Sequence, residues 1–461
     1  MTTILPSSFE GVRVGVLGLG RSGRAVARLL AAHGAEVYAS DVADTPEVRE
    51  AARAVRAAGA LADVGRHDPG RLRACDLVVV SPGIPPTAPV WRADEMAGLP
   101  IVSELEVAFH FLDAPVVAVT GTNGKTTTTL WVGHLLEAGG YRTAVGGNVG
   151  RALSEIALEA RPLDWVVAEV SSFQLAHIVG FKPAVGVVLN LAPDHLDRYA
   201  DVDRYYADKA RIFETADASS LWVLNGEDEA VLAMSRGRPG TVRRFRVSGS
   251  PPAGEDGAWL DAEGRLRLRV GEREWDLCGR EALQVLGLHN VANALAAALA
   301  AHGAGVAPER LGDGLASFRP LPHRLEPVHE ADGVLWINDS KATNLASTTV
   351  ALDAMTRPVI LCLGGRHKGE PYTRLEPGMA NRVRAVIAYG EAAPLVERDL
   401  AARWRVHRVD GPFERVVETA RELARPGDVV LLSPACSSFD QFRNYEERGE
   451  RFRALARGGA A

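Results

Sequence analysis

Short apolar runs recur along the chain, each bounded by glycine, proline or charge and followed by a longer stretch with helical spacing. VRVGVLG (12–18), AEVYASD (35–41) and CDLVVVSPGI (75–84) form a first series, alternating with helix-like segments up to about residue 98, and IVSELEVAFHF (101–111) follows. Leu112-Asp113-Ala114-Pro115 interrupts it. A second series opens with PVVAVTG (115–121) and continues through LDWVVAEV (163–170), AVGVVLNL (184–191) and SLWVLN (220–225). A third restarts with VLWIND (334–339), PVILCLGG (358–365), RAVIAYG (384–390) and DVVLLSP (428–434). Runs that stay apolar at every position suit parallel strands covered on both faces by helices. Between residues 241 and 280 the texture changes: RRFRVS, GAWLDAEGRLRLRV and EREWDL alternate by twos and predict antiparallel strands at a sheet edge. An Ala-rich helix is predicted from about Asn290, and Phe318-Arg319-Pro320-Leu321-Pro322 breaks the pattern again. The prediction is an α/β protein of three domains: a Rossmann-like domain over 1–113, a P-loop-type sheet with an antiparallel edge over 114–320, and a further α/β domain over 321–461.

Composition narrows the function classes. At 461 residues the chain exceeds what one core usually serves. A net charge of -6 argues against non-specific nucleic-acid binding, which needs excess cations. The four cysteines, Cys75, Cys278, Cys362 and Cys436, lie far apart with no C-x-x-C pair, which reads as free thiols rather than a metal site. Met-Thr-Thr-Ile-Leu-Pro lacks the basic start and apolar core of a signal peptide. No apolar run approaches the roughly 18 residues that span a bilayer, so a cytoplasmic protein without membrane insertion is expected. Among 52 basic residues only five are lysines: Lys125, Lys182, Lys209, Lys341 and Lys368. Where arginine is the generic cation, a remaining lysine can mark a site that needs a compact or deprotonatable amine.

Two glycine turns carry the candidate chemistry. Gly18-x-Gly20-x-x-Gly23 follows the first apolar run and opens a helix-like segment, as a dinucleotide-binding turn does, and Asp41 stands where a ribose carboxylate would. The second, Gly121-Thr122-Asn123-Gly124-Lys125-Thr126-Thr127, runs from a strand into a helix. Backbone N–H groups and the helix's positive end can hold a polyphosphate there, with Lys125 on the terminal phosphates and the Thr126 hydroxyl on Mg²⁺. A dehydrogenase has no use for this second loop, whereas the first needs only a diphosphate, which UDP supplies as well as NAD.

GTNGKT, AEVSSFQL, NLAPDHLDRY, YYADKARIF, GLHNVANALAA, LPHRLE, NDSKATN and LSPACSSFDQFRNYEERG, in that order, resemble the motifs of the Mur ligases of peptidoglycan synthesis. The last two are most similar to those of the branch that adds D-glutamate. The resemblance implies an ATP-dependent acid–amino-acid ligase that joins D-glutamate to UDP-N-acetylmuramoyl-L-alanine through an acyl phosphate, working as a monomer. It implies a UDP site at Gly18, Gly20, Ser22, Gly23, Asp41, Ser81, Gly83 and Asn148; Val42 and Ala43 are apolar where some relatives are polar. It implies ATP contacts from the central loop, Asn290, Asn293, Arg324 and Asp339, with Lys341 facing the phosphoryl group. Mg²⁺ would involve Thr126, Glu169, His195 and Lys209, the last as a CO₂-derived carbamate, which a guanidinium cannot form. D-Glutamate would meet Thr343, Lys368, Ser438 and Phe439, with Tyr445, where many relatives have Phe, as a further wall. From the residues alone, Glu169 also reads as a strand end facing water, His195 as a turn residue, Asn290 as a helix N-cap and Lys182 as structural. Rival readings are an NAD-dependent dehydrogenase, a sibling ligase for another amino acid or dipeptide, a folylpolyglutamate synthase and an ATP-driven switch. The dehydrogenase leaves GTNGKT and NDSKATN unexplained. The first domain and SPACSSFDQF disfavour the folate enzyme.

Overall fold

A computed structural model describes residues 5–84, 88–92, 96, 98–195, 198–319 and 321–458. Residues 1–4, on which the leader reading rests, and Pro320, within the predicted domain break, lie outside the described residues. The structure divides into two compact units, 1–282 with 291–318, and 283–290 with 319–461.

The first unit contains two sheets. The first is built from β1 (Arg13–Leu17), β2 (Glu36–Asp41), β3 (Leu61–Val64), β4 (Leu77–Val80) and β5 (Ile101–Ser103) in the order β3-β2-β1-β4-β5. All its pairings are parallel. Apart from the edge strand β3, where Leu61 is exposed, its strands are mostly buried, as coverage by helices on both faces requires. The order reverses beside β1, so the glycine turn after β1 lies at the switch point where such sheets bind ligands.

The second sheet comprises β6 (Val116–Thr120), β7 (Thr143–Gly147), β8 (Trp165–Glu169), β9 (Val185–Val188), β10 (Leu221–Asn225), β11 (Thr241–Arg246), β12 (Gly257–Leu260), β13 (Arg265–Val270) and β14 (Arg273–Gly279). Their order is β14-β13-β12-β11-β10-β9-β6-β8-β7. The predicted antiparallel edge is present in β12–β13 and β13–β14, but β11 runs parallel to both β10 and β12. RRFRVS therefore belongs to the parallel run. Alternation of apolar and polar side chains specifies a face of the sheet and not the direction of the neighbouring strand.

Two buried carboxylates from the helix Glu104–Phe111 tie these sheets together. Glu104 accepts the Ser154 N–H at 2.7 Å, and Glu106 accepts the N–H groups of Val179 (2.9 Å), Gly180 (2.6 Å) and Phe181 (2.9 Å). Complete burial pushes the Glu104 carboxyl above its ordinary range.

The second unit holds the third sheet: β15 (Glu326–Ala331), β16 (Val334–Asn338), β17 (Val359–Gly364), β18 (Val383–Tyr389), β19 (Val406–Val409) and β20 (Val429–Leu432), in the order β15-β16-β20-β17-β18-β19. Only β15 is antiparallel to its neighbour. The Ala-rich helix runs Leu288–Gly303. Asn290 therefore sits inside its first turn rather than at the N-cap, and its Nδ2 donates to Leu286 O at 2.8 Å. All four cysteines are free, three of them buried.

Candidate active site

The strand β6 delivers the chain into Gly121 and the helix Lys125–Ala138 leaves it, with Gly124 at the N-cap. Gly124 has φ +82°, and a Cβ there would stand 2.4 Å from Asn293 Oδ1. Both the backbone sign and the close approach demand glycine, and Asn293 is thereby placed against the phosphate loop.

The segment after β9 holds this loop open. Asn190 grips Asn123 twice, accepting its N–H at 2.8 Å and donating to its carbonyl at 3.1 Å, while Thr122 N–H donates to Asn190 O at 2.9 Å. The Thr122 hydroxyl donates to Ala192 O at 3.1 Å, accepts Ala192 N–H at 3.0 Å and lies 3.3 Å from the Tyr205 hydroxyl.

Two amines converge on one carbonyl of the loop. Lys125 Nζ donates to Gly121 O at 3.0 Å and Thr122 O at 2.8 Å, and Lys209 Nζ donates to Gly121 O at 2.8 Å. Lys209 lies on the helix Val202–Ala210 and is 1% exposed. Burial first, then the Lys125 ammonium, brings its pKa from 10.5 down to about 7, against the opposing pull of Asp194 and Glu169. Glu169 ends β8 as predicted, but it is buried rather than facing water. Its Oε2 accepts the Thr126 hydroxyl at 2.7 Å and its Oε1 accepts Asn148 Nδ2 at 2.8 Å.

These groups border a cavity of about 300 Å³ whose wall includes Gly83, Lys125, Asn148, Ser171, His195 and Lys209. His195 has φ +54°; its N–H donates to Asp194 Oδ1 at 2.8 Å, and its ring stands edge-on to Phe173 with centroids 5.1 Å apart. Phe173, Arg198 and Tyr205 also line the cavity, and none of them was singled out from the sequence. All three lie inside quoted motifs, AEVSSFQL, NLAPDHLDRY and YYADKARIF, where the signal was a position within a motif rather than a recognisable residue chemistry.

At the first glycine turn, a Cβ on Gly23 would stand 1.8 Å from Gly18 O, so the helix Arg21–Ala32 can approach the strand end only through glycine. Asp41 uses both carboxylate oxygens to brace this region, accepting Leu19 N–H at 2.8 Å and Ala43 N–H at 2.9 Å. Ser81 lies behind the turn and donates to Gly18 O at 3.3 Å. Arg21 Nη2 donates to Asn148 O at 3.0 Å, which links this turn to the residue that holds Glu169. Lys182 pairs with Asp217, the structural role expected of it.

In the second unit, Asp339 is buried and accepts Leu325 N–H at 3.2 Å and the Ser433 hydroxyl at 2.7 Å; burial raises its pKa to about 7. Arg324 lies between His323 and Leu325, both at positive φ. Lys341 Nζ lies 5.6 Å from the Tyr445 ring centroid. Lys368 Nζ donates to Thr343 Oγ1 at 3.3 Å, which joins two predicted amino-acid contacts. Ser438 is buried, whereas Phe439 is 62% exposed. Arg448, not singled out from the sequence, is fully buried and donates through Nε to Ser340 Oγ at 2.9 Å and through Nη2 to Ser340 O at 2.8 Å and Cys436 O at 3.2 Å.

Comparison with known proteins identifies the family. Residues 12–103 match the family model described as Mur ligase MurD-like, N-terminal domain; 119–301 match the Mur ligase middle domain; and 323–436 match the Mur ligase, glutamate ligase domain. The chain is 43% identical to UDP-N-acetylmuramoylalanine--D-glutamate ligase of Salinibacter ruber, over 98% of each chain. It is 44% identical to the protein of the same name from Anaeromyxobacter dehalogenans, over 97% of this chain and 98% of the relative. Among solved structures, it is similar in fold to a pseudomurein peptide ligase type C from Methanothermus fervidus, with a TM-score of 0.55 at 20% identity over 92% of this chain and 96% of that one.

Proposed function

The chain belongs to the Mur ligase family, and from that premise we propose that it is the ATP-dependent ligase that adds D-glutamate to UDP-N-acetylmuramoyl-L-alanine in peptidoglycan precursor synthesis. The observation that carries this reading is the near-full-length identity to ligases of that name, joined to a phosphate loop on which two lysines and a buried glutamate converge.

The reaction needs a carboxylate made reactive toward an amine. An oxygen of the L-alanyl carboxylate attacks the γ-phosphorus of ATP, the bond to ADP breaks, and an acyl phosphate forms. The D-glutamate nitrogen then attacks the acyl carbon, phosphate departs with the bonding pair, and the amine gives up a proton. In this reading the loop N–H groups and Lys125 hold the triphosphate, with Thr127 in the first turn of the helix. Asn290, Asn293, Arg324 and Asp339 would contact the nucleotide, and Lys341 would face the phosphoryl group.

Thr126 and Glu169 offer the hard oxygen donors that Mg²⁺ prefers, already 2.7 Å apart. Among the described residues no cluster of three His, Cys, Asp or Glu could hold a metal alone, so phosphate oxygens and a carbamate would complete the set, with His195 beside them. When bound, Mg²⁺ supplies charge neutralisation of the phosphates. Lys209 suits carbamylation because its pKa of about 7 leaves a large share of the amine neutral near neutral pH. A carbamate nitrogen keeps one hydrogen, so the bond to Gly121 O can survive the modification.

Residues 1–113 would bind UDP through Gly18, Gly20, Ser22, Gly23, Asp41, Ser81 and Gly83, with Asn148 added from the central domain; residues 114–320 would bind ATP; residues 321–461 would bind D-glutamate through Thr343, Lys368, Ser438 and Phe439. Among the described residues no helix is long and apolar enough to cross a membrane, and a cytoplasmic monomer acting on small molecules completes the reading. The test is substrate omission. ADP release should require both UDP-N-acetylmuramoyl-L-alanine and D-glutamate. ADP formation that persists without D-glutamate, or runs equally with L-alanine, overturns the assignment.

A further inference from the structure

Among the described residues, one cation on the wall of the phosphate-loop cavity is left without a counter-charge. The Arg198 guanidinium lies 4.0 Å from the Phe173 ring centroid and lines the cavity with Asn148, Ser171 and Lys209. Its Nε and Nη2 are buried without a hydrogen-bond partner, and among the described residues no carboxylate pairs with it. The nearby Asp194 is engaged by the backbone and ring of His195. A charged donor set withheld from water and given no acceptor is unfavourable unless a ligand completes it. The contact with the Phe173 ring restrains the guanidinium, and Phe173 is itself held by a short helix whose Ser171–Gln174 capping box is fully formed.

We propose that Arg198 binds the L-alanyl carboxylate of the UDP-linked substrate and presents it to the phosphate loop. This deepens the function proposed above and rests on it. A carboxylate is favoured over a phosphate here because the triphosphate already has the loop N–H groups and Lys125, and the planar fork can take a carboxylate's two oxygens. Pro82 and Gly83, which follow β4 of the first sheet, line the same cavity, so a substrate anchored at the first glycine turn can enter past them with its acid end toward Arg198.

The full-length chain is assayed first with all three substrates. Wild-type protein that releases no ADP defeats the function itself, independently of Arg198. With turnover established, Arg198→Gln should raise KM for UDP-N-acetylmuramoyl-L-alanine about tenfold or more, with KM for ATP and for D-glutamate moving by less than about twofold. Calorimetric titration separates the two anions of the substrate. Wild type should bind the acid more tightly than its carboxamide analogue, Arg198→Gln should bind both alike, and the Kd for UDP should be the same in both proteins. An unchanged KM, a retained preference for the acid, or a UDP affinity that falls by the same factor overturns the proposal; the last would assign Arg198 to the diphosphate. If Arg198→Gln melts well below wild type, Arg198→Lys, which keeps the charge but loses the fork, carries the same comparison and should lose most of the acid-over-amide preference.

Discussion

Lys209 shows how a single side chain can be prepared for chemistry by what surrounds it. Arginine supplies most of the positive charge along this chain, yet a lysine stands buried beside the loop. Its scarcity made it visible in the sequence; its burial and the Lys125 ammonium, which lower its pKa to about 7, were not visible, because they arise from a helix packed on a loop 88 residues away. The sign of the consequence is fixed. The unfolded chain protonates Lys209 with the ordinary pKa of 10.5, whereas the folded one does so at about 7. Between these values the unfolded state binds more protons, so this residue makes stability rise with pH, and below about pH 7 its penalty is constant. In CO₂-depleted buffer, urea midpoints at about pH 7.5, 8.5 and 9.5 should climb more for wild type than for Lys209→Met; parallel curves would contradict the buried, neutral amine. Lys209→Arg should abolish ligase activity while keeping the fold, since a guanidinium cannot take up CO₂ as an amine does. Near-normal turnover of that variant would remove the carbamate from the mechanism.

At the scale of elements, the sequence conveyed the buried strands and lost the exposed ones. β1, β6, β8, β9, β17, β18 and β20 are dominated by apolar residues, with Arg13, Glu169 and Arg384 as the charged exceptions, and their strand character follows from double-sided burial. β3, β7, β15 and β19 were not predicted. They are sheet edges or pair near one, they mix polar or small residues such as Asp63, Gly146 and Arg408, and tertiary pairing rather than local pattern makes them strands. The direction of β11, parallel to both neighbours, is not legible in the sequence either, because alternation specifies a face and not a partner. The phosphate loop itself was legible from its glycines and lysine; what preorganises it was not. Asn190 holds Asn123 through two hydrogen bonds, although the two are 67 residues apart and Asn190 lies in a stretch quoted only for its strand and motif. Asn190→Ala should therefore raise KM for ATP about tenfold, the loss expected when one or two such bonds no longer fix the loop, with a smaller effect on KM for D-glutamate. Equal rises in all three KM values, or none in that for ATP, would make Asn190 merely structural.

Across the whole molecule, the two units have separate cores, and each is stabilised by a different kind of buried polar anchor. In the first unit, Glu104 and Glu106 collect backbone N–H groups from the second sheet's connections. In the second unit, Arg448 is fully buried and collects the carbonyls of Ser340 and Cys436. Those carbonyls belong to the two segments that carry Asp339, Lys341, Thr343 and Ser438, so one guanidinium fixes both sides of the proposed acceptor site without needing to touch a substrate. Arg448→Met keeps most of the volume but leaves both carbonyls and the Ser340 hydroxyl without their donor, at a cost of about 2–4 kcal/mol to that unit. Because the first unit's core contains none of these groups, differential scanning calorimetry should resolve two transitions, of which only one falls in the variant. UDP affinity, proposed to reside in the first unit, should be retained while KM for D-glutamate rises. A single transition that shifts as a whole would mean that the units unfold together, and an unshifted thermogram would mean that Arg448 is not the anchor its hydrogen bonds describe.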